Sequence, residues 1–551
     1  MKVLLISTAH NSLSQRVLVE LTDRGHSAEV CLASSDTDMV SAVNFFKPDI
    51  IICPFLKTAI PKSIWEKHLC IIVHPGIKGD RGPSSIDWAI LNNECEWGVT
   101  LLQADEVMDA GDIWASHNFK MPVGSKSYIY RQYVAQAAVE GLLEFIDKYE
   151  ARSFIPEPLN YNDESVKGRL LPSMTQKERK IDWSEPTDTI ARKIRCGDSN
   201  PGVLDEIFSM KYYIYGVHEE DRLTGKSGEI LAQRNGAICR ATGDGAVWIT
   251  HLKEKGGFKL PASMVLKDKL TEIPESPISP FDKYTGRTFR EIWYEEIDDV
   301  GYLHFDFYNG AMSTQQCIQL KEALIEIKTR NIKVIVLMGG RDFWSNGIHL
   351  NTIEHAKNPA DESWANINAI NDVVREIIHT NKLVISAMQG NAGAGGVILG
   401  LAADYVYARD GIILNPHYKN MGGLYGSEYW TYLLPKRVGK DMALEIINGC
   451  NAIGTQKAKI IGLIDDSFGL YDSCFCKRIR EIASSLSSSP EFINLLLNKK
   501  DKRLKDETLK PLESYRDEEL AEMHKNFYGV DKSYHIARKN FVYKTQALRC
   551  K

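Results

Sequence analysis

The chain has 551 residues, too many for one hydrophobic core, which predicts about three or four domains. With 44% hydrophobic and 25% charged residues it has the composition of ordinary water-soluble globular protein rather than of a fibrous or disordered chain. A net charge of −5, from 67 basic against 72 acidic residues, gives no footprint for nucleic acid. No run approaches the roughly 18 apolar residues of a membrane helix, so neither nucleic acid nor membrane is expected as a partner.

The 11 cysteines show no repeated spacing, and the C-x-C of Cys474 and Cys476 is a poor metal signal. Reduced thiols, no metal site and a cytoplasmic location are the expectation. The opening MKVLLISTAHNSLSQ has too short an apolar run for a signal peptide and reads as a first buried strand.

In chain order, residues 2–7 predict a strand, 11–24 a helix stopped by Gly25, and 27–32, 49–53 and 71–73 three further strands with helices between. Strands alternating with helices predict a parallel sheet covered on both faces. The turn at residues 8–15 falls at the same end of that sheet as His74. Asn11 and Gln15 are therefore candidate ligand contacts, while Asn11 equally fits a helix cap and Gln15 a solvated position.

The front half is organised around IIVHPGIKGDRGPSSIDWAILNNECEWGVTLLQADEVMDAGDI, residues 71–113. A buried strand ends at His74, an open glycine-containing loop carries Arg81, a helix covers 85–91, and a second strand begins at Gly98. Asp109 follows that strand. This sets one imidazole and one carboxylate at neighbouring strand ends, where ligands sit in open α/β sheets. Residues 125–148 predict a long amphipathic helix bearing Arg131, a position that also fits a solvated arginine.

His74, Arg81-Gly82, Ala89-Ile90, Gly98-Val99-Thr100 and Asp109-Ala110-Gly111-Asp112 occur in the order and near-spacing of the 10-formyltetrahydrofolate-dependent formyltransferases and hydrolases, which this half resembles. The resemblance implies a formyl-folate substrate. His74 would polarise or shuttle a proton, and Asp109 would position it or accept one. Gln15, Arg81 and Arg131 are the candidate cofactor-binding residues. Ile72 stands where that family has an asparagine that holds the formyl oxygen. Only residues 33–48 separate the second and third strands, where the initiator-tRNA formyltransferases carry a longer, partly basic segment. With the acidic net charge this argues against a tRNA substrate.

The domain expectation is 1–150 for the formyl-folate-binding domain, a polar linker at 151–165, and a small barrel at 166–258 resembling the family's C-terminal domain, with short strands near 211–217, 228–232, 237–241 and 247–251. A proline-rich linker follows at 259–288, then a second α/β domain at 289–470 and a charged helical region at 471–551.

In the second α/β domain, strands at 302–305 and 334–338 lead to Phe343-Trp344-Ser345-Asn346-Gly347-Ile348-His349. A strand at 382–388 leads to Gly390-Asn391-Ala392-Gly393-Ala394-Gly395-Gly396 and a helix. A glycine turn opening a helix offers backbone N–H groups to an anion, and glycine equally permits close packing. Two such loops resemble the crotonase (enoyl-CoA hydratase/isomerase) superfamily. By that resemblance the N–H groups of Ile348 and Gly395 hold a coenzyme A thioester oxygen, on which charge develops. Asn309 and Ala311 fall where the nucleotide end of coenzyme A is wrapped. Ile398 and Lys419 stand at the positions of the hydratase glutamates, so water addition is not expected. Tyr418 and Glu428, in NPHYKNMGGLYGSEYW, are the candidate proton donor and acceptor; a hydrogen-bonded core tyrosine and a helix-surface glutamate are the structural alternative. The C-terminal helices, which crotonases often use for oligomer contacts, could here instead pack across to the front half; Arg538 and Lys544 could meet a phosphate but read rather as solvated charges.

The fold expected is thus α/β multidomain: a formyltransferase-like parallel-sheet domain, a small β-barrel and a crotonase-like domain with a helical tail. The whole arrangement resembles the hydrogenase maturation factors that make the carbon monoxide ligand of [NiFe]-hydrogenase. This implies formyl transfer from 10-formyltetrahydrofolate to coenzyme A, decarbonylation of formyl-CoA, and hydrogenase maturation proteins as candidate partners. A formyl-folate hydrolase or formyl-CoA synthase with a degenerate second half, and a non-catalytic folate- or CoA-sensing scaffold, are the alternatives.

Overall fold

The computed structural model describes residues 1–152 and 154–545. The last residues of the predicted helical region, 546–551, and Ser153 of the predicted linker lie outside the described residues. The chain divides into two compact units, Met1–Leu231 with Cys239–Ile249, and Ala232–Ile238 with Thr250–Lys551.

The first unit opens with β1 (Lys2–Ser7), β2 (Ser27–Leu32), β3 (Ile50–Phe55), β4 (Cys70–His74), β5 (Glu96–Gln103) and β6 (Ile113–Lys120). They form one sheet of order β2-β1-β3-β4-β5-β6. The alternation of β1 and β3 explains their unbroken apolar runs. Val3, Leu5, Ile50 and Ile52 enter one core, which also holds Leu13, Val17, Leu142 and Phe145. Leu4, Ile6, Ile51 and Cys53 enter the opposite core, with Met39, Val43 and Phe46. A strand buried on both faces has no polar side to alternate with. The sheet is parallel through β2-β1-β3-β4, and β5 and β6 extend it antiparallel.

The long predicted helix is not continuous. A π-helical turn, Tyr130–Val134, separates Lys126–Ile129 from Ala135–Ala151, and Arg131 lies on it. Strands β7 (Val203–Ile207) and β8 (Met210–Glu220) pair antiparallel, and β9 (Ile230–Arg234), β10 (Ala237–Ala241), β11 (Ala246–Lys253) and β12 (Leu260–Pro261) follow.

The second unit contains β13 (Ile292–Ile297), β14 (Val300–Phe305), β15 (Val334–Met338), β16 (Phe343–Ser345), β17 (Leu383–Met388), β18 (Asn391–Gly393), β19 (Tyr405–Arg409), β20 (Ile413–Asn415), β21 (Ile453–Gly454) and β22 (Asp466–Phe468). One sheet has the order β13-β14-β15-β17-β19-β22, the other β16-β18-β20-β21. The register β14-β15-β17-β19 is parallel, so the loops after β15 and β17 leave the sheet at the same end. Ser313 and Gln316 form a capping box that starts the helix Thr314–Thr329, which packs beside Pro359–Ile378. The C-terminal helices are Asp472–Ser487, Phe492–Leu509, Leu512–Tyr528 and Ser533–Tyr543. Among the described residues no helix is long and apolar enough to cross a membrane.

Candidate active sites

In the first unit His74 ends β4 with 4% of its surface exposed. Its Nε2 lies 2.8 Å from Asp80 Oδ2 and its Nδ1 3.6 Å from Asp109 Oδ2. The imidazole therefore sits between two carboxylates, of which sequence reasoning named one. Asp109 lies in the β5–β6 loop with φ of +57°, and Gly82 N–H points at its Oδ2 from 3.4 Å. Arg81 Nε donates to Met108 O at 3.2 Å, which joins the Arg81 loop to the Asp109 loop. The segment just beyond the predicted linker braces this loop: Gly168 N–H donates to Lys78 O, Arg81 N–H to Arg169 O, and Leu171 N–H to Arg81 O. Ile72, at the position of the family asparagine, is a half-buried strand residue.

Gly76 is the tight point. A Cβ there would stand 2.3 Å from Asp80 Oδ2 and 2.7 Å from His74 Nε2. Gly76→Ala is therefore expected to separate His74 from Asp80 and to lower formyl-folate turnover by about 10²-fold, because misplacing a reacting group by an ångström costs about that much. Steady-state folate consumption, with circular dichroism to confirm folding, checks it.

Asn11 caps the helix Ser12–Asp23 by accepting Ser14 N–H at 3.0 Å, and its amide donates to Tyr130 OH at 3.2 Å. That bond joins the turn containing Asn11, near Gln15, to the π-helical turn that carries Arg131. Gln15 Nε2 donates to His10 O at 3.2 Å.

In the second unit β16 pairs parallel with β18, which sets the two glycine-containing loops side by side. Trp344 Nε1 donates to Gly396 O at 2.9 Å, and a Cβ on Gly396 would stand 2.1 Å from Ser345 O, so only glycine allows this approach. Gly347 has φ of +74°, and a Cβ built on it would stand 3.4 Å from Gly395 N. Met312 N–H donates to Gly347 O and Asn346 N–H to Gly310 O, so the segment with Asn309 and Ala311 runs parallel to the one ending at Ile348. Asn346 Nδ2 also donates to Asn309 O at 2.8 Å. Ile348, Gly395, Asn309 and Ala311 thus belong to one cluster.

The polar pair adjoins Gly395. Tyr418 OH donates to Glu428 Oε2 at 2.9 Å. A Cβ on Gly395 would stand 1.9 Å from Glu428 Oε1, so the carboxylate lies directly on that glycine. Tyr418 is 5% exposed and Glu428 1%: Tyr418 is a hydrogen-bonded core tyrosine, while Glu428 is not a surface glutamate. Burial pushes the Glu428 carboxyl up to about 7, against the hydrogen bonds from Tyr418 and Ser427, and pushes the Tyr418 hydroxyl well above its ordinary value. Ile398 is fully buried in the core, and Lys419 is exposed and donates to Asn448. Arg538 is not a solvated charge. It is 4% exposed, its Nε lies 2.9 Å from Glu354 Oε2, its Nη1 lies 2.8 Å from His535 Nδ1, and its guanidinium faces the Tyr534 ring; these three neighbours replace its water.

Sequence reasoning missed Asp80, Asn371, Ser427 and Glu519. Asp80 carried a signal, its place beside Arg81 in the glycine loop. The others sit on helices or in a loop where only packing reveals them.

Comparison with known proteins finds three family matches along the chain. The formyl transferase family matches residues 31–146, the formyl transferase C-terminal domain 173–270, and the enoyl-CoA hydratase/isomerase family 303–546. Hydrogenase maturation factor HoxX of Bradyrhizobium diazoefficiens is 44% identical across 100% of this chain and 96% of its own. The chain belongs to the HoxX/HypX family of hydrogenase maturation factors. The crystal structure of HypX from Aquifex aeolicus in complex with tetrahydrofolic acid superposes with a TM-score of 0.97 at 46% identity, covering 100% of this chain and 97% of that one. Methionyl-tRNA formyltransferase of Citrifermentans bemidjiense is 25% identical over 41% of this chain and 70% of its own length. As a HoxX/HypX-family protein, the chain joins formyltransferase domains to an enoyl-CoA hydratase-like domain.

Proposed function

We propose that this protein moves the formyl group of 10-formyltetrahydrofolate to the thiol of coenzyme A and then splits formyl-CoA into carbon monoxide and coenzyme A, supplying a hydrogenase maturation pathway. The formyl-folate step is assigned to residues 1–150 with 166–258, and the thioester step to 289–470. The tetrahydrofolic acid complex of Aquifex aeolicus HypX supports folate as the first substrate. In the first step His74, held between Asp80 and Asp109, polarises or shuttles a proton while Asp109 positions it or takes the proton of the thiol.

The second step is carried by one observation, the buried Glu428 carboxylate lying on Gly395 with Tyr418 hydrogen-bonded to it. The N–H groups of Ile348 and Gly395 hold the formyl oxygen. Formyl-CoA has no α-carbon, so enolate chemistry is closed to it. Glu428 takes the proton on the formyl carbon, the C–S bond breaks, carbon monoxide leaves, and the thiolate recovers a proton through the Tyr418/Glu428 pair.

Purified protein given 10-formyltetrahydrofolate and coenzyme A without oxygen is expected to release a gas that shifts the absorbance of a reporter haem protein. Formate release with no such shift overturns the reading. The pH dependence follows from burial. Glu428 accepts a proton only when ionised, and its carboxyl is raised to about 7. Carbon monoxide formation is expected to fall about tenfold per pH unit below that value and to level off above it, as initial rates between about pH 5 and pH 8 would show.

A further inference from the structure

The C-terminal helix Leu512–Tyr528 falls in the region expected to serve oligomer contacts or to pack elsewhere; instead one stripe of it grips the loop that carries Glu428. Asn526 Oδ1 accepts Tyr425 N–H at 3.0 Å, and Met523 Sδ faces Gly426 N–H at 3.2 Å. Glu519 accepts Ser427 Oγ–H at 3.2 Å, Tyr429 N–H at 2.9 Å, Thr431 N–H at 2.8 Å and Thr431 Oγ–H at 2.6 Å. Residues 519, 523 and 526 recur at helical spacing and therefore share a face. Asn371 holds the loop from the helix Pro359–Ile378: its Oδ1 accepts Glu428 N–H at 2.8 Å and its Nδ2 donates to Ser427 Oγ at 2.9 Å.

This grip meets a need. Glu428 and Tyr429 are consecutive non-glycine residues with φ of +61° and +62°. Such a turn persists only where its surroundings over-determine it. Glu519 supplies most of the acceptors that do so. It does this as a carboxylate with no exposed surface, near a second buried carboxylate.

We propose that Glu519 is a positioning residue for the proton transfer at Glu428: it holds the Ser427–Thr431 turn that lays Glu428 on Gly395, and its own ionisation responds to the charge that Glu428 carries. This rests on the reading of Glu428 as proton acceptor. Burial first, with a smaller contribution from the Glu428 charge, raises Glu519 to about 8. Two such carboxyls titrate as a pair. The other titratable groups facing them are Tyr418, Tyr425 and Tyr429, Cys317 from the helix Thr314–Thr329, and Arg516 from the helix of Glu519. The tyrosines and Cys317 are raised by burial and stay neutral. Arg516 stays charged, 2.8 Å from Asp372 Oδ1. Near neutral pH this leaves Glu428 and Glu519 to titrate.

The test is an infrared titration of the full chain, with the Glu428 carboxyl band identified by its loss in Glu428→Gln, beside the pH profile of carbon monoxide formation. Glu519→Gln puts an amide nitrogen in place of one of the two acceptor oxygens, so the turn loosens and Glu428, which burial raises, gains water. In Glu519→Gln the band midpoint and the acidic limb of the rate are therefore expected to fall together by about one pH unit. The kcat for carbon monoxide should drop about 10–100-fold with KM for formyl-CoA within about twofold, and formyl-folate consumption should be unchanged. Thr431→Val, which removes one hydroxyl donor, should move the midpoint the same way by less, and serves if Glu519→Gln does not fold.

An unmoved midpoint and limb overturn the proposal. So does a drop in carbon monoxide formation that is matched by lost thermal stability with no change in pH profile, which marks a purely structural residue. If the wild-type protein makes no carbon monoxide while the midpoint still moves, the coupling of Glu519 to Glu428 stands and the decarbonylation reading fails.

Discussion

Glu428→Gln is expected to lower carbon monoxide release from formyl-CoA by about 10²–10⁴-fold, the usual contribution of a positioned proton acceptor. The amide has the same shape, so it still covers Gly395 and can still accept from Tyr418 OH and Ser427 N–H through its oxygen. What it loses is the capacity to take a proton. The acidic limb of the rate should vanish with it, since no carboxyl near 7 remains to titrate at that position. Formyl-folate consumption in the first unit serves as the internal control. Tyr418→Phe keeps the carboxylate and removes one donor, so its effect should be the smaller, about tenfold. Carbon monoxide release from Glu428→Gln at the wild-type rate, followed by haem absorbance, would sink the assignment of the proton step.

Asp109→Asn should lower formyl transfer from 10-formyltetrahydrofolate by a similar factor, about 10²–10⁴. The backbone at Asp109 has φ of +57°, a region that asparagine tolerates as well as aspartate, so the loop keeps its course. The side-chain charge beside His74 Nδ1, at 3.6 Å, is lost. Folate affinity, read by fluorescence quenching, should change by less than about threefold, which separates chemistry from binding. Asp80→Asn is the useful comparison. Asp80 faces the other ring nitrogen, Nε2, at 2.8 Å, so its loss should disturb the orientation of the imidazole. Asp109→Asn turning over folate at the wild-type rate would remove Asp109 from the mechanism.

Both sites owe much of their legibility to short-range pattern. The front strands are legible because β1 and β3 are buried on both faces and run apolar without a break. His74 and Asp109 are legible because their motif lies within a short stretch of chain. Tyr418 and Glu428 are legible because a single loop carries both. The antiparallel turn of β5 is not legible. A strand, a helix and a strand in succession read the same way whichever direction the last strand takes, and only the register of Val73 with Leu101 and His74 with Thr100 decides it.

The buried charges divide the same way. YRDEELAEMHK looks like the solvated face of a surface helix, yet Glu519 within it is fully buried and bonds Ser427, 92 positions earlier. Arg538 finds Glu354 across 184 positions. By itself the sequence determined the long buried strands, which turns bear the glycines, and which residues form the local motifs, because periodic burial and turn chemistry act between near neighbours, while short strands such as Phe343–Ser345 and Asn391–Gly393 read as loops. Only the tertiary structure decided which carboxylates lose their water. That depends on donors brought from distant segments, and no local pattern records them.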